Sequence, residues 1–298
     1  MLLENCKKLV QSNITKSLDD KAIEIMQYVV AALILEKEQI ATERLPRILQ
    51  ELQIYAENRS ILEMSHEYLN NYDEDNLLSR GNACVTRRLS FDNETFLGEH
   101  WYLLLSLSKH NDTYQIISTL THEFMHLLRH DASQQDGIHV KIRSGISINY
   151  LDSQKGKLRK KHQILEEGIV QKYTYEALKE LYDYLKEQKI ETEIAKDFIK
   201  GYDSEKFEDY LLERSMLETL CRNQKFLSLV ETSFTDPTIP SPVTQYFNTI
   251  MGSSNALTEL ENCLEAIQNS SSEMAMQSYY IKACSIAATF LNKCMYHR

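Results

Sequence analysis

Residues 122–126 read His-Glu-Phe-Met-His, and this spacing restricts how the segment around it can fold. On a helix, positions i and i+4 share a face, with Cβ atoms about 5–6 Å apart. His122 and His126 then place two imidazoles within reach of one metal ion. Glu123 is tilted to the side, where its carboxylate can reach a water at that ion. That is the geometry of zinc-assisted hydrolysis. Nine His occur in 298 residues, so the pattern arises by chance in about 2% of such chains. A surface helix with two unrelated His, or a core His with a satisfied hydrogen bond, are the plain alternatives. The flanking residues oppose both. Residues 112–121 read as the first turns of the same helix, with Asp112 as N-cap. Leu120, Phe124, Leu127 and Leu128 surround the two His with apolar side chains. A helix that is apolar nearly all round is buried, and buried imidazoles with a carboxylate want a partner such as a metal.

A catalytic zinc site takes three protein ligands. His130 lies one turn past His126, but His122, His126 and His130 span about 12 Å at 1.5 Å per residue, too long for one ion. The extended pattern with a Gly and a third His also fails, because Arg129 and Ala132 occupy those places. His130 is therefore expected as a supporting or structural residue. The other source is the pair Glu166-Glu167, at the start of a helix expected to run to about Gln188. By itself this pair is an ordinary acidic first turn, favoured by the helix dipole. With the upstream motif, either Glu can serve as a ligand. Gln171, one turn beyond Glu167, can hydrogen-bond a ligating His.

Over residues 112–175 the chain resembles the gluzincin metallopeptidases. Those proteins carry His-Glu-x-x-His on one helix and a Glu ligand on a second, often within Asn-Glu-Gly. Glu167 before Gly168 matches that Glu, and Glu166 takes the Asn place. The resemblance implies a zinc ion held by His122, His126 and Glu167, with Glu123 as general base. It implies hydrolysis of peptide bonds in a protein or peptide substrate, read here as endopeptidase action. It also implies a Tyr or His that donates to the oxyanion. Tyr150, His162, Tyr173 and Tyr202 stay open for that role, and Lys160 stands where one branch has a Tyr. Ile169 and Val170 stand where some aminopeptidase branches have an aromatic and small residues.

Eight Gly and four Pro in 298 residues favour long helices over tight turns. The expected fold is α+β and predominantly α-helical. It is a zincin-like core with a small antiparallel sheet beside the motif helix, flanked by N- and C-terminal helical regions. Residues 1–80 form the N-terminal helical region, 81–200 the core and 201–298 the C-terminal helical region, which one continuous body with the core would also satisfy. Helices are expected from Asp19 or Asp20 to about Glu38, over Leu45–Glu57 and over Ser60–Asn71, and near 204–221, 241–251, 256–269 and 272–295. Ala83–Phe91 alternates as a strand does, Trp101–Ser108 suits a buried strand, and Ile138–Leu151 reads as a hairpin around Ser144-Gly145. Lys155–Lys161 reads as a solvated basic loop, or as a lip for an acidic substrate segment. The Pro-rich stretch 235–242 reads as a hinge or loop.

A net charge of −10 argues against general nucleic-acid binding. Cys6, Cys84, Cys221, Cys263, Cys284 and Cys294 include no Cys-x-x-Cys pair and fit buried thiols in a reducing compartment. The first residues lack a signal-peptide apolar core, and the longest apolar run, Tyr28–Leu35, falls short of the roughly 20 residues that span a bilayer. A cytoplasmic protein without membrane partners is expected, with delivery into a host cell by a signal-independent route left open. Two other functions compete. One is regulatory proteolysis resembling the repressor-cleaving His-Glu-x-x-His proteins, whose downstream acidic-Ala-Asn-x-Phe-Ala segment is absent. The other is a non-catalytic zinc-stabilised binding protein, in which Glu123 has no purpose.

Overall fold

The computed structural model describes residues 1–14, 20–56, 83–92, 95–105, 112–134, 139–144, 147–152, 157–161, 163–204, 211–235 and 241–296. Helix α1 (Leu2–Asn13) packs on α2 (Asp20–Glu51) through Cys6 and Val10. Every residue from Ile25 to Leu33 in α2 is buried, as expected of a helix that is apolar all round. As expected, the first helix of this stretch ends near Glu38, at a kink where Lys37 leaves helical geometry (φ −136°, ψ 56°), but the second begins directly after the kink rather than at Leu45. Helicity stops at Glu51, and the next five residues form strand β1 (Leu52–Ala56). The helix expected over 60–71 lies outside the described residues.

Strands β2 (Ala83–Asp92) and β3 (Thr95–Leu105) follow, then α3 (Thr113–Leu128), which carries the His-Glu-Phe-Met-His motif. Asp112 caps α3, its Oδ1 accepting from the Gln115 N–H at 2.9 Å. Strands β4 (His130–Gln134), β5 (His139–Ser144), β6 (Ser147–Asp152) and β7 (Lys157–Lys161) lead to α4 (Gln163–Glu187) and α5 (Glu193–Ser204). The remaining helices are α6 (Leu211–Leu220), α7 (Gln224–Thr232), α8 (Ser241–Met251), α9 (Ala256–Asn269) and α10 (Glu273–Tyr296). Helix α7 was not expected. Its N-cap is Asn223, whose Oδ1 accepts from the Phe226 N–H at 2.8 Å. Most of the Pro-rich stretch lies outside the described residues.

The expected zincin-like core with one small antiparallel sheet requires correction. Where side chains are described the chain is predominantly helical, and the expected sheet is not seen there. The strands, traced as backbone, also depart from the expected arrangement. The order β1-β3-β2 includes a parallel β1–β3 pair, and β4-β5-β6-β7 is a separate antiparallel series after α3. The physical reason is that alternation marks a strand but not its partners, and five apolar-rich residues such as Leu52–Ala56 carry no period that separates strand from helix. The basic stretch Lys157–Lys161, expected as a loop, is instead traced as the last strand of its series. The predominantly helical character agrees with expectation.

The chain groups into two units, each discontinuous in sequence. One comprises Met1–Leu128 and Tyr173–Phe207, the other Arg129–Lys172 and Glu208–Arg298, so the division falls within α4. In the first unit, α3 packs against α2 and α5. The Tyr114 ring lies 5.6 Å from Phe198 and 6.0 Å from Tyr202. Gly201 is needed there, because a Cβ on it would stand 2.3 Å from Tyr114 Cβ. The Tyr28 hydroxyl meets Thr192 Oγ1 at 2.7 Å, and Thr192 Oγ1 accepts from the Ala195 N–H at 3.2 Å, capping α5. In the second unit, Phe226, Phe247 and Phe290 form an aromatic core, with Phe247 stacked on Phe290 at 4.5 Å. Among the described residues no helix is long and apolar enough to cross a membrane.

Candidate metal centre

Helix α3 buries Ile117, Leu120, Phe124, Met125, Leu127 and Leu128 and leaves His122, Glu123 and His126 half-buried. The helical i,i+4 spacing brings His126 Nε2 to 3.2 Å from His122 Nε2, with ring planes at 76°. Two imidazole nitrogens on a tetrahedral zinc ion stand about 3.3 Å apart at the usual bond length, so this pair already has ligand spacing. Without an ion, the same approach is a hydrogen bond in which one ring donates and the other accepts. The end of α3 is held by the Arg44 guanidinium of α2, which donates to the Leu128 carbonyl.

His122, His126 and Glu167 each offer one ligand atom, and these atoms lie within 4.8 Å of one another. Among the described residues this is the one such group of His, Cys, Asp and Glu. Two nitrogens and a carboxylate oxygen suit zinc. Glu123 is outside this set.

The two adjacent acids, left open by the sequence, have different surroundings. Glu166 is 2% exposed and is gripped by Arg129, itself 0% exposed. Arg129 Nε donates to Glu166 Oε1 at 2.6 Å, and Nη2 donates to Oε2 at 3.0 Å and to Ser233 Oγ at 2.9 Å. The guanidinium also lies 4.2 Å from the centroid of the Phe234 ring. This two-point pairing satisfies a buried carboxylate. Glu167 is half-buried and belongs to the ligand group.

Two further residues shape this turn without having been anticipated. Glu261 of α9 accepts from the Leu165 N–H at 3.0 Å, satisfying a donor that the start of α4 leaves open. Burial pushes the Glu261 carboxyl up to about 7, partly offset by its backbone hydrogen bonds to residues 165 and 164 and reinforced by Glu265 and Glu166. Gly168 meets the backbone of Glu213 on α6, where a Cβ would stand 2.7 Å from the carbonyl oxygen. The sequence marks Gly168 as a motif residue and carries no local sign of its packing role. Glu261 has no local signal either, since its partner is 96 positions away.

Of the four residues named for the oxyanion, Tyr173 and Tyr202 have described side chains. Tyr173 is buried with the Lys37 ammonium 4.0 Å from its ring centroid. Tyr202 stacks on Tyr182 at 4.4 Å, and its hydroxyl is raised well above the usual tyrosine range, first by burial and then by Tyr175, Asp183 and Tyr182. Tyr150 lies in β6, described as backbone, and His162 is outside the described residues. His130 is half-buried and Gln171 is buried.

No protein-family model matches this chain, and neither a curated protein nor a solved structure matches it.

Proposed function

We propose that the protein is a zinc-dependent peptidase, acting as an endopeptidase on a protein or peptide. His122, His126 and Glu167 hold the ion, and Glu123 is the general base. The observation that carries this reading is the convergence of the three ligand atoms, with the His122 and His126 nitrogens 3.2 Å apart. The resemblance to gluzincins rests on those residues with Glu123 and Gly168. A bound zinc ion supplies a Lewis acid that polarises a carbonyl and lowers the pKa of water toward neutrality. The Glu123 carboxylate takes the proton from the attacking water and returns it to the leaving nitrogen. Leu120, Phe124 and Leu127 keep the flanks of the motif apolar, which strengthens charge interactions at the site. The place of action belongs to the same proposal: a reducing cytoplasm, in keeping with the thiols of Cys6, Cys221 and Cys263 being buried and unbridged.

The test is zinc content by elemental analysis, followed by hydrolysis of an unfolded protein substrate. Wild type is expected to carry about one zinc per chain, and Glu123→Gln to retain it while losing about a hundredfold or more in kcat. A Glu123→Gln protein with undiminished activity removes Glu123 as base. A wild-type protein that takes up no zinc removes the metal site.

A further inference from the structure

We propose that Arg129 and Glu261 are positioning residues that present Glu167 to the metal. This rests on the zinc-site reading and adds to it the groups that set the third ligand.

Near the start of α4, the three residues 165, 166 and 168 around Glu167 are each held in place. At position 165 the backbone N–H is tied to Glu261 Oε1 at 3.0 Å. At position 166 the carboxylate is held at both oxygens by Arg129, which Ser233 Oγ and the Phe234 ring hold in turn. At position 168 a glycine lets the helix lie against the Glu213 backbone, so this turn cannot be displaced toward α6. Leu165, Glu166 and Gly168 are all buried, and Glu167 is the half-buried residue among them.

Capping a helix does not require this arrangement. A Ser or Asp just before the helix does it with little loss of hydration. A buried acid from a distant helix and a buried ion pair both carry a desolvation cost that apolar packing avoids. What they add is direction, because a two-point Arg–carboxylate contact and a long-range cap restrain the backbone just before Glu167. A flexible Glu ligand binds metal more tightly when its backbone is already in place.

The experiment measures zinc affinity by competition with a chromogenic chelator and records the visible spectrum of the cobalt-substituted protein, which reports ligand geometry. Arg129→Lys and Glu261→Asp keep charge and change reach. Glu261→Gln keeps reach and an acceptor oxygen but removes charge. Phe247→Leu, in the aromatic core of the same unit, controls for lost stability. The expected result is a weakening of zinc by about 10–100-fold in Arg129→Lys and Glu261→Asp with a changed cobalt spectrum. Glu261→Gln stays within a few-fold of wild type, and Phe247→Leu lowers Tm without altering the spectrum. Unchanged affinity and spectrum in Arg129→Lys and Glu261→Asp overturn the positioning role while wild-type zinc binding stands. An equal effect in Phe247→Leu overturns it too, by reducing it to stability. Absence of zinc binding in wild type overturns the site reading and this proposal together, a result distinct from the other two.

Discussion

Neighbouring residues on a helix point about 100° apart, and at 166 and 167 that angle separates structure from chemistry. Removing the Glu166 carboxylate leaves the fully buried Arg129 without its main partner. Glu166→Leu is expected to lower stability by about 3–5 kcal/mol, read by urea unfolding of the metal-free protein. Glu167→Gln is expected to leave that metal-free stability within about 0.5 kcal/mol and to lose zinc. Similar unfolding curves for the two variants would remove the distinction. Glu261 adds a pH dependence. Its carboxyl is raised to about 7 from an ordinary value of 4.5, so the folded state holds this proton more tightly than the unfolded state. The stability it contributes is therefore complete below about pH 4.5 and is lost as pH rises through about 7. The Tm of Glu261→Gln should gain on wild type between about pH 5 and pH 8, and a constant difference would refute the shift. The sequence exposed His122, Glu123 and His126 because their spacing is local. It favoured Glu167 over Glu166 through the match to Asn-Glu-Gly, but gave no sign that Arg129 pairs with Glu166, because that contact is made by the fold.

At the level of elements, helices with a periodic apolar face and a local cap were readable. Helix α3 begins after Asp112, and α4, α8, α9 and α10 fall within one or two residues of where pattern and caps put them. The break of α2 near Glu38 was readable, but the start of its second part was not, because Pro46 has the look of a first-turn residue and yet lies inside the helix that follows the kink at Lys37. Strand partnership was not readable, since a parallel pair such as β1–β3 joins segments that no short turn connects. Close helix approach was also hidden. Gly168 and Gly201 look alike in sequence to any helix-weakening glycine, but each sits where another chain segment fills the place of a Cβ. Gly168→Ala is expected to cost about 1–3 kcal/mol, and Gly201→Ala at least as much. Both are measured as shifts in the denaturant midpoint at unchanged slope. A gain in either, as helix propensity alone would give, would show that the contact is soft.

For the molecule as a whole, the metal reading makes stability depend on zinc. Ligand that binds only the folded state adds about 2.7 kcal/mol at a hundredfold excess over Kd. Chelation is expected to lower Tm in wild type and to leave Glu167→Gln and His126→Ala unmoved. An equal response in all three would mean that the chelator acts elsewhere. The expected three consecutive regions were a reading along the chain, whereas each observed unit gathers distant segments, a property of the folded contacts that composition does not encode. The thiols bear on how any such melt behaves. Cys6, Cys221 and Cys263 are buried without disulfides, and burial pushes the Cys6 thiol up to about 11, far from nucleophilic at neutral pH. Unfolding returns such groups to an ordinary value of about 8.5, where a fraction ionises and can cross-link. Heating without reductant then feeds an irreversible step. The apparent Tm becomes dependent on scan rate, and shelf life is governed by how fast the chain opens rather than by its equilibrium stability.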